Sequence, residues 1–210
     1  ALPICYKGRP YMRVESATTT MPQTTYNDLL LQRDGNRYRW ELLENRNLSL
    51  QHLDTNEVLK TVRLGIECGR LPEDTGTDIP VILSKFGLLK DGKLNNAAAV
   101  LFGKHEDMEY PQCLLRLARF KGTDKTVFMD SQRIQGNFFQ LLNAAMAFIF
   151  KHLSLSGTTD TLEREEHLTI PYKAIREGVL NSLTHRSYKE AGGSVGIAIY
   201  DNRVKIENPG

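Results

Sequence analysis

The run FFQLLNAAMAFIF, Phe138 to Phe150, sets the strictest condition on the fold. It is apolar on nearly every side, so as a helix it has to be buried. It falls short of the roughly 17–25 residues that span a bilayer, and Gln140 and Asn143 interrupt it. A buried helix over 137–153, opened by Asn137 or Gly136, is expected. NNAAAVLFG and CLLRLARFKG precede it and read as strands with few polar interruptions, buried on both faces. KTVFMDSQRIQG, between them and the helix, reads as one more strand.

The rest of the chain alternates between helix and strand signals. ICYKGRPYMRVES reads as a hairpin turning at Lys7–Gly8–Arg9–Pro10. ATTTMPQTT reads as a polar connector, with Thr24 or Thr25 capping a helix that begins near Tyr26 and ends at Gly35. LDTNEVLKTVRLGIECGRL is an amphipathic helix with Thr55 as its N-cap, and IPVILSKFGLLKDGKL is a second helix running into a turn. LSLSGTTDTLEREEHLTIP is a polar, Gly-containing separator. After it come a helix over 172–187 and two strands, SVGIAIYD and RVKIENPG, joined at Asp201–Asn202. The expected fold class is α+β, in three blocks: 1–50, 51–155 and 156–210.

Composition excludes some functions. At 40% hydrophobic and 25% charged the chain is ordinary for a soluble protein, and a net charge of +2 does not by itself argue for nucleic acid. The 3 cysteines, Cys5, Cys68 and Cys113, are odd in number and lack a CxxC, which suits a reducing cytoplasm without disulfides or a zinc site. The five histidines show no HExxH or other close metal-ligand spacing. GxxxxGK[ST] is absent, so the chain carries no P-loop motor. The start, ALPICYKGRP, lacks a basic-then-apolar signal plan. No membrane partner is expected. An opening without Met and a stop at IENPG suggest a piece of a longer protein.

The most unusual segment is IREGVLNSLTHRSY. At 100° per residue, Tyr172, Ile175, Val179, Leu180 and Leu183 fall on one side of helix 172–187. Glu177, Asn181 and His185 fall together on the other, beside Ala174 and Gly178, which are small enough to let a ligand approach. Two readings are open. In one the stripe is simply solvated; in the other Asn181 offers a hard oxygen to Mg²⁺ while Glu177, one turn earlier, orients or deprotonates a water.

Glu-x-x-x-Asn on a helix, followed by a β-hairpin and a Gly-containing turn, resembles the start of the GHKL ATPase fold of gyrase B subunits, MutL and histidine kinases. Three segments are more specific: AAAVLFGKHEDMEYPQCLLRLARFKGTDKTVFMDSQRIQGNFFQLL, IPYKAIREGVLNSLTHRSY and GGSVGIAIYDNRVKIENPG. In this order they resemble a bacterial and archaeal family of transcriptional regulators, often labelled as related to RecG helicase. There a Schlafen/AlbA-type DNA-binding domain precedes a linking region and a GHKL-like domain.

The resemblance implies that residues 1–50 are the tail of the AlbA-type domain, 51–155 the linking α/β domain and 156–210 the first half of the GHKL-like sandwich. It implies ATP and Mg²⁺ as cofactors. Glu177 would activate water and Asn181 would hold the Mg²⁺. His185 belongs to an HR pair grouped with the nucleotide-binding residues, without an assigned role. Asn208 and Gly210 would stand where GHKL proteins have Asp-x-Gly, whose aspartate accepts a hydrogen bond from the adenine amino group. An amide oxygen accepts that bond more weakly than a carboxylate. Ser187 replaces the family's usual aspartate. Arg9 and Arg13 would contact DNA phosphates. The partners implied are DNA, a nucleotide and a homo-oligomer. Two alternatives stand beside this reading: a catalytically inactive scaffold that self-associates through helix 137–153 and strands 97–121, and a true DNA-coupled ATPase.

Overall fold

The structure is a computed structural model describing residues 4–14, 16–33, 39–104, 110–153, 155–158, 165–168, 170–190 and 192–208. The chain separates into two compact units, residues 1–43 and 44–210. The first boundary, expected at residue 50, therefore falls at Leu43/Glu44.

The first unit is a small antiparallel sheet followed by a helix. Strands β1 (Ile4–Tyr6), β2 (Arg9–Val14) and β3 (Ala17–Thr20) lie in the order β1-β2-β3, and α1 spans Gln23–Arg33. Lys7 and Gly8 both adopt positive φ, 47° and 75°, and close a two-residue hairpin between the paired Tyr6 and Arg9. Positive φ at both central residues matches the right-handed twist of the strands. Arg9 and Pro10 thus lie in β2, not in the turn. The expected connector ATTTMPQTT begins as strand β3, because threonine is β-branched and the run pairs with Tyr11–Val14. Thr24 and Thr25 lie inside α1, which begins at Gln23, and not before its start. Gly35, the expected helix end, lies outside the described residues.

The second unit begins with a helical layer: α2 (Thr55–Glu67), α3 (Ile79–Lys85), the short hairpin β4 (Leu89–Lys90) and β5 (Lys93–Leu94), and α4 (Asn96–Phe102). Each helix is opened by a side-chain cap. Asp54, one residue before the expected Thr55, accepts from the N–H groups of Asn56 and Glu57 at 3.1 Å. Asp78 accepts from Val81 N at 3.0 Å and Asn95 from Ala98 N at 3.1 Å. NNAAAVLFG is therefore a helix, not the expected strand. Leu53, Val58, Val62, Ile82, Leu83, Leu94 and Phe102 form the core of this layer.

Next come strands β6 (Leu114–Lys121) and β7 (Val127–Gln135), helix α5 (Phe138–His152), the hairpin β8 (Leu155–Thr158) and β9 (Glu165–Leu168), helix α6 (Tyr172–Thr184), and strands β10 (Val195–Ile199) and β11 (Val204–Glu207). Four strands form one mixed sheet in the order β11-β10-β6-β7. β10 runs parallel to β6 and the other pairs are antiparallel. The expected boundary at 155/156 falls inside this sheet, whose strands come from both sides of it. The fold is α+β, as expected.

One face of the sheet carries the main core. Leu115, Leu117, Val195, Ile197 and Ile199 pack against Leu142, Ala145 and Ile149 of α5 and Ile175, Val179 and Leu183 of α6. Asn137 opens α5 with a reciprocal cap: its side chain accepts from Gln140 N at 3.0 Å, and Gln140 Oε1 accepts from Asn137 N at 2.9 Å. Its own amide donates to Gly103 O at 3.0 Å. Phe139 stacks on Phe102 with ring centroids 5.6 Å apart, joining this core to the helical layer. Among the described residues no helix is long and apolar enough to cross a membrane.

Candidate functional site

Helix α6 divides as its sequence requires. Ile175, Val179 and Leu183 are buried in the core, and Leu180 is half-buried beside it. Tyr172, expected on the apolar side, is exposed and stacks on Phe150 at 5.4 Å. Glu177, Asn181 and His185 all face solvent. Asn181 Nδ2 donates to Glu177 Oε1 at 3.1 Å, so the acid and the amide are joined one turn apart. That bond engages the amide nitrogen and leaves Asn181 Oδ1 turned away as an acceptor or ligand.

Gly178 serves a different purpose from the one expected. A Cβ there would stand 3.1 Å from Ile206 Cδ1, so the missing side chain makes room for β11. This close approach brings the Glu177–Asn181 turn beside the exit of β11. Ile206 points toward the helices, and Asn208, the next residue on that alternation, is exposed just past the strand. Gly210 lies outside the described residues. Arg9 and Arg13 are exposed in β2 of the first unit and share one side of that strand by alternation.

His185 is the C-cap of α6, and its N–H donates to Asn181 O at 2.9 Å. The next residue, Arg186, is the one whose importance the sequence did not reveal. It is buried at 5% exposure. Its guanidinium donates to Gln112 O and to Gly193 O, the latter at 2.9 Å, and lies 5.0 Å from the centre of the Tyr188 ring. Gln112 Nε2 donates back to Tyr188 O at 3.1 Å, and Tyr188 OH donates to Leu183 O at 2.8 Å. These bonds fix the end of α6 to the strands it serves. Arg186 Nε has no hydrogen-bond partner among the described residues, and burial pulls the arginine's pKa down. Nothing in the spacing of an exposed-looking HRSY signals a buried arginine; only the tertiary partners do.

Cys113, beside this clamp, is buried, and burial pushes its thiol up to about 12 despite the opposing pull of Arg186. It is a core thiol, as its apolar surroundings suggested, and no nucleophile at neutral pH.

Among the described residues no three His, Cys, Asp or Glu side chains gather where they could hold a metal ion by themselves. A hard cation that arrives on a polyphosphate needs few protein ligands, and an exposed amide oxygen held by a neighbouring carboxylate fits that demand.

No family model matches the chain, and no curated protein matches it. Among solved structures, the crystal structure of the DIP2311 protein from Corynebacterium diphtheriae is similar, with a TM-score of 0.64 over 97% of this chain. Sequence identity is 14%, so the likeness shows the fold alone. This chain spans 39% of that one.

Proposed function

We infer that this chain is part of a cytoplasmic, nucleotide-binding transcriptional regulator of the AlbA/GHKL, RecG-related kind. The observation that carries this reading is the hydrogen-bonded Glu177–Asn181 pair, exposed on α6 beside the exit of β11. Asn181 Oδ1 would ligate Mg²⁺ carried on the ATP phosphates. Glu177 would take a proton from the attacking water, and Asn208 would accept from the adenine amino group. A Mg-nucleotide held there would supply the phosphoryl group and its charge, and the protein would orient it and accept protons. Arg9 and Arg13 would meet DNA phosphates from the first unit.

The test is calorimetry of Mg-ATP on a version extended beyond Gly210, beside its Asn181→Ala variant. Binding in the parent that is lost in the variant is expected. No binding in the parent overturns the nucleotide reading. ATP turnover, where present, should vanish in Glu177→Ala; turnover that persists removes Glu177 as the base.

The alternative of self-association through helix 137–153 and residues 97–121 has less to stand on. Leu141, Leu142, Ala145, Met146, Phe148 and Ile149 of α5 are buried in the unit's own core, as are Leu115 and Leu117.

A further inference from the structure

The side of the four-stranded sheet turned away from α5 and α6 has a composition of its own. The strand register places its residues in three rows. Arg133, Arg116, Gly196 and Glu207 are successive partners across the sheet. Ser131, Ala118, Ala198 and Lys205 form the next row. In the third row, aromatic rings form a ladder: Phe128 lies 4.5 Å from Phe120, Phe120 stacks on Tyr200 at 5.2 Å, and the Arg203 guanidinium lies 4.1 Å over the Tyr200 ring.

Two features of this face are costly unless something binds there. Arg116 and Arg133 are both exposed and stand directly opposite each other on neighbouring strands. Like charges so placed repel. Among the described residues neither has a carboxylate partner; Glu207, the acid of their row, pairs with Lys205. Phe128, at the head of the ladder, is 62% exposed, although its inner neighbours Phe120 and Tyr200 are buried. A paired set of guanidinium groups suits phosphate oxygens. An exposed ring on a stacked ladder suits an unpaired base, since every base has a π-face.

We propose that this open sheet face binds single-stranded nucleic acid, with backbone phosphates on Arg116 and Arg133 and a base stacked on Phe128. The rows are four residues apart along β6, about 13 Å, so linked phosphates and bases reach both at once. Among the described residues the face offers no helix that could enter a major groove, and a duplex keeps its bases stacked, which favours a single strand. This surface uses none of the residues assigned to nucleotide or to the first unit's DNA contacts.

The test is fluorescence anisotropy of the 210-residue chain with a labelled oligothymidylate of about 15 nucleotides. Phe128→Ala should weaken binding by about 5- to 100-fold. The double variant R116Q/R133Q should weaken it and make the dependence of log affinity on log salt shallower by about 1.4. Both variants should keep the parent's circular dichroism, because the three side chains are exposed. An Arg63→Gln variant, on the exposed side of α2 and outside both surfaces, should bind like the parent. Any of these results overturns the proposal: no binding by the parent, binding unchanged in both sheet variants, a loss confined to an Arg9→Gln/Arg13→Gln variant, or equal binding of poly-glutamate. A duplex that binds more tightly than the single strand, with no effect of Phe128→Ala, overturns it as well.

Discussion

Helices α5 and α6 lie side by side on one face of one sheet, yet they divide their surfaces differently. α5 buries Leu141, Leu142, Ala145, Met146, Phe148 and Ile149, and its exposed residues, Gln140, Asn143, Ala147, Phe150 and Lys151, form one strip. α6 buries Ile175, Val179, Ser182 and Leu183 and leaves a whole side polar. The first helix is held by volume and by its N-terminal cap. The second is held by a narrower apolar stripe and by a buried clamp at its C-terminal end. Substitutions on α5 should therefore register as stability, and substitutions on the polar side of α6 as binding.

The sharpest way to break that contrast is Ile149→Ala in α5. Ile149 is 1% exposed, and the cavity should cost about 2–5 kcal/mol in urea unfolding. Asn137→Ala comes next. It removes the cap of α5 and orphans Gly103 O, with an expected loss of about 1–3 kcal/mol.

The clamp region should show itself at alkaline pH. The folded Cys113 thiol keeps its proton up to about 12, whereas the unfolded chain loses it near its ordinary value of 9.0. Between those values the unfolded state binds fewer protons, so stability falls as pH rises. From pH 8 to pH 10 the parent should lose about 1.4 kcal/mol more than Cys113→Ala. Equal losses would remove Cys113 from the account.

The smallest effect is expected on α6 itself. Glu177→Ala and Asn181→Ala should each shift stability by no more than about 0.5 kcal/mol, because both side chains are exposed. A loss near 2 kcal/mol from either would make the polar side a structural feature and erase the contrast.

The same contrast explains what could be read from the chain beforehand. α5 was legible because its polar interruptions, Gln140 and Asn143, fall on its exposed strip and Asn137 is a strong cap. The polar side of α6 was legible because 100° per residue is enough to sort it. α4 was misread because a short apolar run has no period to detect. Its alanines and the Asn95 cap carried the helix signal instead. Asp91–Gly92, with φ of 51° and 76°, made a tight hairpin where a turn after a helix was expected. Gly178 looked like room for a ligand, and only β11 in place shows that the room belongs to Ile206. The parallel pairing of β6 with β10 and the outer row of Arg116 and Arg133 depend on register between distant segments, which no local pattern encodes.

That parallel pairing also sets a timetable for synthesis. As the chain leaves the ribosome, β6 finds β7 within a few residues, but its other side must wait for Val195–Ile199. Until then an apolar strand edge stands open, and a nascent chain halted after α5 would offer that edge to any neighbouring polypeptide.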